Sequence, residues 1–263
     1  RDRLRSRGLG DVYKRQAAQY VLGKLYQDGV YFNKDMDQAM KWFRSAAELG
    51  NEYAAYRMGC LLLLGEEIPK DVEAAVKWLS LSAEKGNPYA QYRLGMLYLK
   101  GEEYSPQVEV AMKWLQQAAE QKNEWAFYQL GKLYLSGEHV TKNVETAVHY
   151  LGLCAEKGNQ YAQYVLGKLY LCGRDVSRDR EKAVEYLTAS AEQGNLYASF
   201  LLEHLDAYQD PSLFLAATRL LHHLEKLFCE EVQRPMEMKR YQIDRKRRRK
   251  LLEKKQAQGH HRL

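Results

Sequence analysis

Glycine recurs in this chain at steps of 36 residues. Gly23, Gly59, Gly95, Gly131 and Gly167 form one column, and Gly29, Gly65, Gly101, Gly137 and Gly173 form a second. Trp42, Trp78 and Trp114 keep the same step and are followed by Tyr150 and Tyr186, while Asn51, Asn87, Asn123, Asn159 and Asn195 close each unit. Several independent columns with one period and no insertion define an internal repeat, so the chain is an array of one supersecondary unit rather than a domain with a unique topology.

Each unit reads as two helices. In the third, Ala90, Leu94, Leu97 and Tyr98 place an apolar stripe on one helical face. Gly95 lies inside that helix, where glycine costs about 1 kcal/mol relative to alanine. Its return in every unit predicts a second helix crossing there with no room for a Cβ. Gly101 then ends the helix in the left-handed conformation that other residues avoid. The second helix opens at Asp35, Asp71, Gln107, Asn143 and Asp179, four of them good N-caps. Val108, Ala111, Met112, Leu115, Ala118 and Ala119 follow at helical spacing, and Gly50, Gly86, Gly158 and Gly194 end this helix, with Lys122 in the matching place of the third unit. The alanine pairs allow close helix approach. One helical hairpin cannot bury its own apolar face, so the units must stack.

Segments such as Tyr89-Ala90-Gln91-Tyr92-Arg93-Leu94-Gly95-Met96-Leu97-Tyr98 and Ala118-Ala119-Glu120 resemble the Sel-one-like repeat (SLR) family, a relative of the tetratricopeptide repeats, whose period is about 34. The resemblance covers residues 17–195. It implies an all-α fold, a right-handed α/α solenoid of five 36-residue helix-turn-helix repeats, and a scaffold that holds partner proteins along a curved surface.

The ends depart from the array. Residues 1–16, including Gly10-Asp11-Val12-Tyr13-Lys14-Arg15-Gln16, carry no repeat pattern and resemble translated sequencing-adapter sequence. They are expected to be non-native, the native N-terminal part to be missing, and the chain to be a fragment. After Asn195 the pattern restarts at Leu196, but Glu203 takes the glycine column, so residues 196–233 form a degenerate repeat followed by a helix that starts at Asp210-Pro211. That helix caps the solenoid or, as the sharper alternative, docks a partner. Residues 234–263 form a basic helix or tail.

Charge follows the same division. The tail holds 12 Lys/Arg against 3 Asp/Glu and residues 1–16 hold 6 against 2, which leaves residues 17–233 at −7 within a chain of net charge +6. Arg245, Lys246, Arg247, Arg248, Arg249 and Lys250, with Lys254 and Lys255, form a cluster dense enough to bind phosphate backbones without reading sequence. A solvated charged helix, or a tail folded onto the acidic solenoid, is the alternative. Ile243-Asp244-Arg245-Lys246 with Arg248-Arg249-Lys250, ending Glu253-Lys254-Lys255-Gln256-Ala257-Gln258-Gly259-His260, resembles the C-terminus of some mobilisation relaxases of Gram-positive conjugative elements. That resemblance implies a DNA-nicking domain upstream and DNA contact by the tail. No nicking residue carries over to this chain.

Candidate chemistry is sparse. Ser82-Ala83-Glu84-Lys85 matches the S-x-x-K pattern of penicillin-recognising enzymes, yet it falls in the column where other units have Ala118-Ala119-Glu120-Gln121 or Cys154-Ala155-Glu156-Lys157, and no S-D-N or K-T-G motif accompanies it. Secreted SLR proteins described as β-lactamases pin each repeat with a cysteine pair, which this chain lacks. His222-His223 and His260-His261 have no metal-ligand spacing, and His149 and Cys154 stand five apart, a poor spacing for base and nucleophile. Cys60, Cys154, Cys172 and Cys229 are scattered without C-x-x-C spacing, no apolar run approaches the roughly 18 residues of a membrane span, and no N-terminal apolar region suggests a signal; a reduced bacterial cytoplasm is expected.

Tyrosine columns (Tyr20, Tyr56, Tyr92, Tyr128, Tyr164 and Tyr53, Tyr89, Tyr161, Tyr197) imply packing first, which leaves the variable loop residues Glu66-Glu67, Glu102-Glu103 and Glu138-His139 as weak partner contacts. The expected function is a non-catalytic protein-binding scaffold with no cofactor, metal, small-molecule substrate or membrane. It is expected to be the C-terminal repeat region of a larger bacterial protein such as a conjugative relaxase, its tail contacting DNA. The alternative is a stand-alone SLR adaptor in signalling or effector regulation with no nucleic-acid role.

Overall fold

A computed structural model of the chain describes residues 2–101 and 107–205, with side chains from residue 11 onward. Arg1–Leu202 form one compact unit; a second begins at Glu203 and lies almost wholly outside the described residues. The helix expected after Asp210 falls there, as do the basic residues Arg245–Lys250, Lys254 and Lys255.

Eleven helices and no strand occur among the described residues. The first helices of successive units are α1 (Asp2–Asp28), α3 (Glu52–Leu64), α5 (Pro88–Lys100), α7 (Glu124–Ser136), α9 (Gln160–Cys172) and the short α11 (Leu196–Glu203). The second helices are α2 (Met36–Glu48), α4 (Val72–Glu84), α6 (Val108–Glu120), α8 (Val144–Glu156) and α10 (Arg180–Glu192). We call the two sets A and B helices. Each helix packs on its neighbours in the chain, most closely on the partner within its own hairpin. The array is an α solenoid.

The close crossing expected at the glycine column is present. A Cβ on Gly59, Gly95, Gly131 or Gly167 would stand 2.6–2.7 Å from the Cγ of Leu79, Leu115, Leu151 or Leu187 in the following B helix, and one on Gly23 would stand 2.6 Å from the Phe43 ring. Those leucines and Phe43 are fully buried, as are Met58, Leu94, Leu130 and Leu166 of the A helices. The core is therefore a line of large residues from both helix sets, with alanine wherever two backbones come together. Ala39, Ala75, Ala111, Ala147 and Ala183 are all completely buried.

The local signals place the helix ends. Asp35, Asp71, Asn143 and Asp179 each accept a hydrogen bond from the backbone N–H three residues on, whereas Gln107 makes no such side-chain cap. The asparagines that close each unit have a second task. The backbone N–H of Asn51, Asn87, Asn123, Asn159 and Asn195 donates to the last turn of the preceding B helix. The side chain of each then accepts from the N–H groups that open the next A helix. One residue thus ends one helix and starts the next, which fixes the turn between units.

Two details add to the sequence reading. Residues 2–16 continue α1 as helix in spite of Gly8 and Gly10, extending the turn that the first repeat nucleates. The sixth unit stops at Glu203, the residue in the glycine column, after eight residues where complete A helices in the second to fifth units run thirteen.

Two substitutions test these points. Gly95→Ala gains about 1 kcal/mol of helix propensity, but its Cβ would meet Leu115 and, at 3.2 Å, the carbonyl of Ala111. Overpacking of this kind costs about 1–3 kcal/mol, so urea denaturation is expected to show a less stable protein; a midpoint at or above wild type would refute the crossing. Lys122 is the one non-glycine residue with positive φ (60°) among the described residues. Lys122→Gly is expected to raise stability by about 0.5–1 kcal/mol, since the left-handed conformation costs an L-residue about 1 kcal/mol.

Candidate interaction surface

The residues that looked chemical in the sequence are occupied by packing. Ser82 is fully buried and its Oγ donates to the carbonyl of Glu52 at 2.7 Å, thirty residues back in the first turn of the previous A helix. Cys154 Sγ does the same to Glu124 at 3.3 Å, and Ser190 Oγ to Gln160 at 2.7 Å. In the third unit that column holds Ala118, and the Pro88 carbonyl accepts from Asn123 Nδ2 at 3.3 Å. The lysine of the S-x-x-K match, Lys85, reaches away to the Gly50 carbonyl at 2.9 Å. Its equivalent Lys157 bonds the Lys122 carbonyl. Ser82 thus ties α4 to α3 within its own hairpin, and Lys85 ties its unit to the one before, with no nucleophile poised for a substrate.

The other candidates resolve in the same way. His149 leans on the Tyr150 ring, with centroids 5.7 Å apart, and the Cys154 thiol hydrogen-bonds elsewhere. Burial pushes the Cys154 thiol up to about 12, with the Glu124 charge adding to the effect, so it stays protonated. Burial also raises Cys60 and Cys172. No group of three or more His, Cys, Asp or Glu that would hold a metal ion is present among the described residues. His222, His223, His260 and His261 fall outside them.

Glutamine supplies further links in alternate units. Gln121 Nε2 donates to Gln91 Oε1, and Gln193 Nε2 to Gln163 Oε1, both at 2.8 Å. Gln91 and Gln163 in turn donate to Ala83 and Ala155 carbonyls. In the first unit Leu49 stands where the partner glutamine would be, and Gln19 Oε1 is buried without a hydrogen bond. The loops add ion pairs between units: Lys34 binds Glu67, and Lys142 lies 2.5 Å from Asp175. Glu67 is therefore used internally and is a weaker candidate for partner contact than the sequence suggested; Glu102 and Glu103 are outside the described residues.

Aromatic side chains divide into two roles. Trp42, Trp78, Trp114, Tyr150 and Tyr186 are half-buried, and Tyr150 and Tyr186 stack on Tyr134 and Tyr170 of their own hairpins at 6.2 and 6.1 Å. On the A helices, rings 33 residues apart meet across unit boundaries. The pairs are Tyr20–Tyr53, Tyr56–Tyr89, Tyr128–Tyr161 and Tyr164–Tyr197, with centroids 6.1–6.4 Å apart. The downstream ring of a pair stays open to solvent. Tyr53, Tyr89 and Tyr161 are 49, 52 and 45% exposed, and Trp125 in the same column is 42% exposed. Column membership does mean packing for these residues, but only for one side of each ring. The sequence did carry the signal: a spacing of 33 in a 36-residue repeat puts the end of one helical turn against the start of the next unit.

With this geometry the molecule is an α-solenoid repeat protein whose polar interior is used to lock units together. It belongs to the Sel1 repeat family, whose profile matches residues 16–51, 52–87, 88–123, 126–159 and 160–195. Among solved structures, c5321, a protective antigen of uropathogenic Escherichia coli strains with an SLR fold, is 31% identical with a TM-score of 0.68 over 74% of this chain. The chain spans only 43% of that protein's length. A Sel1 repeat protein from Oxalobacter formigenes is 33% identical with a TM-score of 0.65, over 70% of this chain and 75% of its own. A search of curated proteins returned no match. No helix among the described residues is long and apolar enough to cross a membrane.

The buried thiol gives a pH dependence of defined sign. An unfolded cysteine ionises as pH passes about 9, whereas folded Cys154 holds its proton to about 12. Its contribution is therefore full below about pH 9 and drains as pH rises towards 12. Cys154→Ser keeps the hydrogen bond, as Ser82 and Ser190 do in the same column, and removes the titration. Urea denaturation from pH 8 to 10.5 should show wild type losing stability relative to this variant; parallel curves would count against the account.

Proposed function

We propose that this chain is a non-catalytic scaffold that binds partner proteins on its solenoid surface. Sel1 repeats generally mediate protein–protein interaction, and the half-exposed aromatic column Tyr53, Tyr89, Trp125 and Tyr161 is the observation that carries the reading for this chain. Aromatic side chains held rigidly by a ring behind them lose little entropy on binding and are enriched where interfaces draw most of their affinity. The occupied state of Ser82, Lys85 and Cys154 supports the non-catalytic part.

In its finer form the proposal makes the array the repeat region of a larger bacterial protein, a conjugative mobilisation relaxase, with residues 234–263 contacting DNA. The support is the basic cluster itself: Arg245–Lys250 with Lys254 and Lys255. A stand-alone adaptor is the reading left if the tail has no such contact. Both levels are tested with the full chain. In-cell cross-linking followed by calorimetry of purified pairs should yield a stoichiometric protein complex. Absence of any binary complex, together with turnover of β-lactam or ester substrates, would overturn the scaffold. Fluorescence anisotropy with a labelled oligonucleotide should show binding that weakens steeply with salt and disappears when residues 245–250 are changed to glutamine. Binding indifferent to those changes removes the DNA role alone.

A further inference from the structure

The A and B helices differ in charge as sharply as in packing. In the second to fifth units the A helices carry only two carboxylates, Glu52 and Glu124, each at the first residue of its helix. The five B helices carry eleven, from Asp37 to Glu192, against six lysines and arginines. Apart from Lys100 in the last turn of α5 and the basic residues of α1 before Lys24, the A-helix cations are not scattered. Every unit has one on the face that bears the aromatic column: Lys24, Arg57, Arg93, Lys132 and Lys168. They occupy two columns only three residues apart, so all lie on one side of their helices. Where a unit has its cation in one of these columns, the other holds Val21, Cys60, Met96, Gln129 or Val165, and never a carboxylate.

Two of these cations sit against rings. Lys132 Nζ lies 5.7 Å from the centre of the Tyr128 ring, and Arg93 hydrogen-bonds Tyr56 of the preceding unit. A ring-lined strip with one such cation per unit runs along the A helices. Successive A helices meet through their ring pairs at 6.1–6.4 Å, so the cations recur once per unit along the strip. In an extended segment of polyproline II form, with three residues per turn, residues three apart lie on one face about 9 Å apart.

We propose that this face binds an extended acidic segment of a partner protein, with a carboxylate about every third residue for the cations and apolar side chains between them for the rings. The inference rests on the scaffold reading above and names its partner's chemistry. Charge complementarity selects the occupant. A single strand of nucleic acid carries a charge on every residue, so it meets more repulsion from the −7 of residues 17–233 than a peptide with one charge in three.

The test uses the full chain and a fluorescein-labelled 15-residue peptide, Asp-Phe-Ser repeated five times, followed by anisotropy in buffered saline. The peptide is expected to bind, and Arg57→Gln, Arg93→Gln and Lys132→Gln together are expected to weaken it at least tenfold. Tyr89→Ser with Tyr161→Ser should also weaken it, as should replacing Phe by Gly in the peptide. Unchanged circular dichroism would show that the variants fold. Lys77→Gln with Lys113→Gln on the B helices, and glutamine throughout residues 245–250, should leave binding intact. Binding that follows the tail rather than the face overturns the proposal, as does a 15-nucleotide single strand that binds more tightly than the peptide and is lost in the same A-face variant. A native partner whose complex is indifferent to the A-face changes overturns it while leaving the scaffold standing. Failure of the scaffold shows separately, as the absence of any binary complex.

Discussion

The contact between a glycine in each A helix and a leucine or phenylalanine in the following B helix governs the rest of this structure. With no Cβ at Gly59, Gly95, Gly131 or Gly167, the leucine side chain reaches the A-helix backbone itself. The two helices of a hairpin then approach more closely than ordinary side chains permit, and the alanines flanking the contact follow from that approach. Helix propensity opposes the arrangement at every repeat. It persists because a fully buried leucine contributes more than the glycine costs, about 1.5–3 kcal/mol against about 1. Stacking then has a fixed geometry, and the distances between units leave room for short polar links.

Those links explain why a solenoid with serine, cysteine, lysine and glutamine in its repeats is not a row of active sites. A buried hydroxyl needs an acceptor because burial makes an unpaired polar group expensive, and the first carbonyl of each A helix, already bonded within its helix, has a second lone pair to offer. Ser82, Cys154 and Ser190 each use that carbonyl, and in the third unit, where the column holds Ala118, Asn123 uses it. Substitutions in this column are tolerated because the carbonyl keeps its bond within the helix. The same economy shows in the Gln91–Gln121 and Gln163–Gln193 pairs, and its lapse shows at Gln19, where Leu49 offers nothing. A motif search sees S-x-x-K; the structure sees a carbonyl thirty residues back.

What remains for function is the outward side of the A helices. Packing consumes one face of Tyr56, Tyr128 and their equivalents and leaves Tyr53, Tyr89, Trp125 and Tyr161 half open. The loop carboxylates looked more adaptable in the sequence because they vary between units. Glu67 turned out to be bound to Lys34, while the regular tyrosine column kept solvent-facing area. A repeat protein can present the same residue type in every unit because the ligand-facing surface is itself periodic.

The sequence alone determined the repeat, the number of complete units, the two helices in each, the close crossing at glycine and most of the caps. These depend on local propensity and on a period of 36 residues, and both are written directly in the chain. It also placed Lys122 in a glycine position, where the backbone indeed adopts positive φ. Only the tertiary structure decided which polar residues are spent between units, which aromatic faces stay exposed and which charges share a side. Those outcomes depend on pairs 30 to 35 residues apart that meet only when a hairpin closes or when units stack. No periodicity within a single helix reveals whether a tyrosine ring lies over its neighbour or beyond it.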